Sequence, residues 1–204
     1  MGKTKDKTKR TPGSTKLTPN SCEWPTNNEL MLKYHDEEWG VPLHDDRKIF
    51  EFMVLDSFQA GLSWKTVLYK RESFREAFDD FDYRKIARYD QKKVDTLLQN
   101  PGIIRNKAKI NGAINNARCF LDVQKEFGSF DTYIWQFTNW KTINNNCKTL
   151  TDIPSQSEES NAMSRDLIRR GFKFVGSTIC YAFMQAAGMV NDHLVTCYRY
   201  NMIT

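Results

Sequence analysis

From Asp45 onward, apolar residues recur at a spacing of three to four, the period of a helix with one buried face. Ile49, Phe50, Met53 and Val54 lead toward Phe58, and Asp45 or Asp46 stands where an N-cap is needed. A second helix follows Ser63 and runs through Val67 and Leu68 to Phe74 and Phe78. Residues 83–99 read as two short helices, the second carrying Val94, Leu97 and Leu98 after Asp90. Asn100-Pro101-Gly102 breaks the chain and Ile103-Ile104-Arg105 restarts it. A long amphipathic helix continues with Ile110, Ile114, Ala117 and Leu121. Residues 127–155 are polar and loop-rich around a short aromatic helix at Tyr133–Phe137. Helices return at Ser164–Arg170, Ser177–Gly188 and from Asn191 onward. No internal repeat and no alternating strand pattern interrupts this series. The pattern predicts a single all-α domain over residues 21–204.

One stretch departs from it. In Leu55–Trp64 an apolar helical run meets a tight turn at Gly61, and Asp56, Phe58 and Trp64 fall within nine residues. That composition suits a helix end with core aromatics. It also suits a small, flat aromatic pocket with one hydrogen-bonding acid. Both readings stay open on these residues alone.

Composition narrows the setting. The chain has 204 residues, enough for one well-buried core, and 13% of them are aromatic, which argues against disorder over most of the length. No run of about eighteen apolar residues predicts a membrane-spanning helix. The first residues lack the apolar segment of a secretory signal. Five scattered cysteines (Cys22, Cys119, Cys147, Cys180, Cys197) do not resemble a disulfide framework, so a cytoplasmic location is expected. Residues 1–20 carry six basic side chains and one acid, which accounts for the whole net charge of +5 and leaves residues 21–204 with 24 basic and 24 acidic groups. This tail reads as disordered, either a non-specific DNA-binding arm or a solvated leader. Attraction of the folded part to a polyanion must come from the placement of charge.

Two constellations carry possible chemistry. In residues 97–110 two amphipathic helices flank a Pro101-Gly102 turn, with Ile103 and Ile104 fixing the hairpin, the layout of a helix-hairpin-helix. Such a turn aims backbone N–H groups at a phosphate, with Arg105, Lys107 and Lys109 on or near that edge. An ordinary αα-corner would look the same. In the second constellation, His193 and Cys197 are four residues apart, one turn on one helix face, and Cys22 and His35 could complete a closed tetrahedral metal site. A core His and Cys would also have this spacing.

Longer segments decide between these readings. YHDEEWGVP (34–42), QAGLSWKTVLYKRE (59–72), PGIIRNKAKI (101–110), RRGFKFVGSTICYAFMQAAGMVNDH (169–193) and the terminal Cys197 closely resemble the bacterial 3-methyladenine DNA glycosylase I family. The similarity runs from Cys22 to Cys197. It implies an all-α helix-hairpin-helix DNA glycosylase fold with a Zn²⁺ site joining the N- and C-terminal segments through Cys22, His35, His193 and Cys197. It further implies that Trp64 stacks on a methylated base between walls formed by Trp24, Tyr34 and Trp39; Phe58, from the composition of the Leu55–Trp64 stretch, is expected to bind substrate beside them. Gly61 and Leu62 match the turn that enters the DNA stack, while Pro101, Gly102, Ile103 and Arg105 belong to the backbone-gripping hairpin. The family's base-reading acid is a Glu aligned with Asp56, so here the carboxylate is one methylene shorter. Met31 stands where some members have a tyrosine.

The resemblance implies a monomeric DNA repair enzyme of the bacterial cytoplasm, acting on double-stranded DNA with alkylated bases. It would flip out and hydrolyse 3-methyladenine, releasing the free base. Asp122 follows the hairpin, but the resemblance gives it no role in supporting a cationic sugar, and no Lys stands out as a Schiff-base nucleophile. Excision without strand cleavage is expected. The shortened acid motivates a second reading, an alkyl-base sensor or weakened enzyme.

Overall fold

The computed structural model describes residues 21–25 and 28–203; the basic tail expected at 1–20 lies outside them. Helices α1 (Glu29–Glu37), α2 (Asp46–Gln59), α3 (Trp64–Tyr69), α4 (Arg71–Ala77) and α5 (Tyr83–Ile86) form the first half. Helices α6 (Gln91–Gln99), α7 (Lys107–Phe127), α8 (Phe130–Trp135), α9 (Glu158–Arg169) and α10 (Ser177–Ala186) form the second. No helix among the described residues is long and apolar enough to cross a membrane.

Short polar side chains start nearly all of these helices by accepting a hydrogen bond from a first-turn N–H. Asn28, Asp45, Ser63, Asp82, Asp90, Asn106, Ser129 and Ser157 do so for α1, α2, α3, α5, α6, α7, α8 and α9. Of the two acids expected before α2, Asp45 is the cap. Asp46 instead receives the Phe130 and Asp131 N–H groups and so caps α8 from across the fold.

Helix α2 is the axis of the molecule. Nearly its whole length from Ile49 to Phe58 is buried, and it packs against α3, α7, α8 and α10. Helix α7 supplies the opposing face with Ile110, Ala113, Ile114, Ala117, Phe120 and Val123. Phe120 stacks on Phe130 at 4.0 Å between ring centroids and meets Phe50 edge-on at 5.2 Å, tying α2, α7 and α8 into one core.

The structure alters three expectations. The helix foreseen from Ser63 to Phe78 is two helices joined at Lys70. Helix α9 begins at Glu158 rather than Ser164, because Ser157 and Ser160 form a reciprocal capping pair. The described chain from Asn191 onward holds no α-helix, only a single 3₁₀ turn at Tyr200–Met202. Val190–Asn191 (β2) pairs in parallel with Ile143–Asn144 (β1), a bridge too short to show alternation in the sequence. The Asn191 side chain then accepts from His193 N–H and donates to the Tyr200 carbonyl, replacing the bonds a helix would make. His193 and Cys197 therefore lie on a chain of tight turns, not on one helix face.

Candidate functional site

Where α1, α2, α3 and α10 converge, a cleft of about 150 Å³ is lined by Trp24, Tyr34, Trp39, Asp56, Gln59, Trp64, Ala182 and Gln185. Its walls are aromatic. Tyr34 and Trp64 lie 5.1 Å apart at 47°, and Trp24 meets Trp39 edge-on at 5.0 Å. Phe52 lies behind Trp64, nearly parallel to it at 6.5 Å.

Asp56 projects from the buried side of α2 and is 1% exposed, and its Oδ2 has no hydrogen-bond partner. Its other neighbours, Met53, Met163, Leu167, Val175, Ile179, Cys180 and Phe183, are apolar or nearly so. Burial holds the carboxyl well above the usual carboxylate range, and the nearby Arg71 guanidinium only partly opposes this. The Tyr34 hydroxyl is pushed up as well, by burial and then by Asp56. Arg71 is itself held by Glu51 at 2.5 Å and by Glu38 at 2.7 Å, which joins α4 to α1 and α2. The indole N–H groups of Trp24 and Trp64 are also buried without partners. A pocket with an unpaired acceptor and unpaired donors is arranged for a flat ligand that brings its own hydrogen-bonding edge.

Phe58 corrects the sequence reading. It is fully buried and packs on Phe74 at 4.8 Å and Phe78 at 6.1 Å, so it belongs to the core and not to the cleft. Positions two apart on a helix face different ways, and Asp56 and Phe58 do. Gln59, Ala182 and Gln185 take places on the cleft wall that were not foreseen.

Beyond α2 the chain turns at Gly61, with φ of +80°, and presents Leu62 at 42% exposure. The hairpin turn between α6 and α7 lies alongside. Asn100 Oδ1 accepts from Gly102 N–H at 2.8 Å, Ile103 is buried, and Lys70 Nζ donates to the Pro101 and Gly102 carbonyls. A Cβ on Gly102 would come within 2.9 Å of Ser73. Arg105 and Lys107 are exposed and make no ion pair among the described residues. Lys109 differs from the expectation of an outward charge. It is 7% exposed and its Nζ donates to the carbonyls of Phe58 and Ala60.

The four Cys and His side chains come together, all of them buried. The ligand atoms of Cys22, His35 and Cys197 lie within 4.8 Å of one another, with His35 Nε2 3.6 Å from Cys197 Sγ. His193 lies beside them, its ring 4.9 Å from that of His35. His35 Nδ1 is held by Asp36 Oδ1 and His193 Nδ1 by Asn191 Oδ1, which leaves each Nε2 free as a ligand atom. His193 Nε2 is buried with no partner. The Cys197 thiol is pushed down by hydrogen bonds from Cys22 and His35, whereas that of Cys22 is pushed up by the same contact. An orphaned buried imidazole nitrogen and a thiol favoured as thiolate fit a tetrahedral N₂S₂ ion. Trp39 packs on His193 at 4.6 Å, so this cluster and the cleft share a wall.

Residues 24–200 match the methyladenine glycosylase family. The chain is 46% identical over 179 residues to DNA-3-methyladenine glycosylase 1 of Escherichia coli (strain K12), covering 88% of this chain and 96% of that protein. A crystal structure of 3-methyladenine DNA glycosylase I superposes with a TM-score of 0.85 at 46% identity, covering 87% of this chain and 98% of the other. A variant of 3-methyladenine DNA glycosylase I, solved in complex with 3-methyladenine, also gives 0.85, at 34% identity over 88% of this chain and 96% of that one.

Proposed function

The chain belongs to the methyladenine glycosylase family, and from that premise we propose how its own residues carry out excision of 3-methyladenine from DNA. The observation that carries the reading is Asp56: a buried carboxyl group with an unpartnered oxygen, lining a cleft walled largely by indole and phenol rings.

A duplex hides the glycosidic bond, so the base is flipped out at a cost of a few kcal/mol. Leu62, exposed at the Gly61 turn, fills the vacated stack, while the Pro101–Gly102 hairpin and Arg105 grip the backbone. The methylated base is cationic. It stacks on Trp64 with cation–π attraction of about 1–2 kcal/mol, and Asp56 accepts from its exocyclic amine. The positive charge favours the ionised form of Asp56, which burial otherwise resists. The bond between C1′ and the base nitrogen breaks, its electron pair neutralises the base, and water supplies the hydroxyl at C1′ and releases a proton. No strand is cut.

Cys22, His35, His193 and Cys197 hold a structural Zn²⁺, fastening the start of the described chain to its end. The enzyme works as a monomer on double-stranded DNA in the cytoplasm.

The test is release of free 3-methyladenine from alkylated duplex DNA. Release by the native chain and its loss in Asp56→Ala support the reading. Binding of alkylated DNA without release, restored to release by Asp56→Glu, would instead identify a base sensor whose shortened acid stops catalysis.

A further inference from the structure

Helix α10 brings Ala182 and Gln185 to the cleft one turn apart. Neither the acid nor the aromatic walls account for what Gln185 does there. Its amide is not free to choose its orientation. Gln185 Nε2 donates to Asp192 Oδ2 at 2.8 Å, and Asp192 is 1% exposed. The same carboxylate receives the Tyr181 hydroxyl at 2.9 Å and Asn145 Nδ2 at 2.6 Å. Asn145 Nδ2 also reaches the Tyr181 oxygen, so both outer groups are committed as donors toward Asp192. Turning the Gln185 amide over would set Oε1 against a buried carboxylate oxygen, two acceptors face to face. The oxygen end of the amide is therefore the end left over, and it has no partner among the described residues.

We propose that Gln185 is a specificity-determining residue of the base pocket, with Asp192 as the positioning residue that keeps Oε1 as the group offered to the ligand. The inference rests on the glycosylase reading of the same cleft and narrows its substrate class. Asp56 and Gln185 then present two acceptors to a flat base. A 6-amino purine answers with the two hydrogens of its exocyclic amine. A 6-oxo purine brings an acceptor to the same place and leaves the Gln185 oxygen, which has no proton to give, facing another acceptor. The Gln185 oxygen thus favours 3-methyladenine over 3-methylguanine at the 6-position by polarity, in addition to any exclusion of guanine's extra 2-amino group by shape.

The experiment measures both bases in one reaction. The full chain is incubated with methylated duplex DNA and released 3-methyladenine and 3-methylguanine are quantified by mass spectrometry. Gln185→Met keeps the length of the side chain and removes the acceptor. It is expected to narrow the release ratio roughly two- to ten-fold, the worth of one neutral hydrogen bond. Asp192→Asn lets the Gln185 amide reverse and is expected to move the ratio further toward 3-methylguanine. A merely structural role for either residue would lower both rates together and leave the ratio alone. Binding of the two free bases, followed by quenching of tryptophan fluorescence, gives a readout that does not need turnover. An unchanged ratio and unchanged relative base affinities in folded Gln185→Met protein overturn the proposal. Failure of the native chain to release either base overturns the glycosylase reading instead, so the two failures are distinguishable.

Discussion

Lys109 Nζ stands 2.6 Å from the carbonyl oxygen of Ala60 and reaches that of Phe58 at 2.9 Å, so the first turn of α7 holds the last turn of α2. The final carbonyls of a helix have no partners of their own, and a buried ammonium satisfies two of them here. The same Lys therefore joins the hairpin that would grip the DNA backbone to the turn that would enter its stack. Lys109→Met should lower stability by about 2 kcal/mol and Tm by several degrees, read by thermal denaturation. If the link matters for function, kcat/KM on alkylated DNA falls at a temperature where the variant is fully folded, while affinity for free 3-methyladenine is kept. Equal losses in both would assign Lys109 to stability alone.

Asp56 predicts a pH dependence whose sign follows from its environment. Its folded carboxyl is held above the usual range, so the folded chain keeps a proton that the unfolded chain has already released. The stability contribution is present below the ordinary carboxylate pKa and is lost as pH rises through and beyond it. Asp56→Asn removes that loss. The variant should gain stability relative to native protein at pH 8 and much less near pH 4, measured as the difference in Tm across pH. Its base release should be nearly abolished. In the native enzyme, kcat/KM should climb with pH through a value above the ordinary carboxylate pKa. A Tm difference that does not change with pH would show that Asp56 is ionised in the folded chain.

Arg105 is exposed beside the hairpin and has no acidic partner among the described residues. Arg105→Ala should weaken binding to unmodified and alkylated duplex alike and reduce the slope of log affinity against log salt by about 1. Fluorescence anisotropy at several salt concentrations measures it. Leu62→Ala should leave that slope intact and lower the rate of base release, because the vacated stack is no longer filled. A change of slope with Leu62→Ala, or none with Arg105→Ala, would reverse the division of labour between turn and hairpin.

Helix positions were legible in the chain because they depend on local rules, whereas the cleft walls Trp24, Tyr34, Trp39 and Trp64 came from the family resemblance. Caps such as Asp90 and Ser63 sit directly before the runs they start, and the 3.6-residue period marks buried faces well. Side-chain direction near Gly61 was harder to read. Phe58 lies in the same short stretch as Asp56 and Trp64, yet the turn of the helix sends it into the Phe74–Phe78 stack. Gln185 was missed, and Lys109 was expected on the phosphate-facing edge, for a different reason. Each acts through a partner distant in sequence or in another element, Asp192 for one and the α2 carbonyls for the other. Asn191 hid the loss of helix after it, since a side chain that bonds its own neighbourhood leaves no mark on the hydrophobic pattern.

Gly40 separates a structural metal from a fortuitous cluster. With φ of +77°, it lies against the His193 ring, and a Cβ there would come 2.9 Å from Cε1 and 3.1 Å from Nδ1. Gly40→Ala thus displaces a proposed ligand without altering any of the four, and it adds backbone strain. Cys197→Ser removes one ligand outright. If Zn²⁺ closes this site, purified protein should carry about one ion per chain, the count implied by one four-ligand closed site. Cys197→Ser should lose the metal and Gly40→Ala should retain less of it. Both should show depressed Tm with native-like helix content below the transition, as should native protein treated with a chelator. Such a metal would hold Cys22 near the start of the described chain to Cys197 near its end, so its loss should also raise protease sensitivity at both ends before the α2–α7 core opens. Undiminished zinc in Cys197→Ser would place the ion elsewhere and leave the four residues as a buried polar cluster.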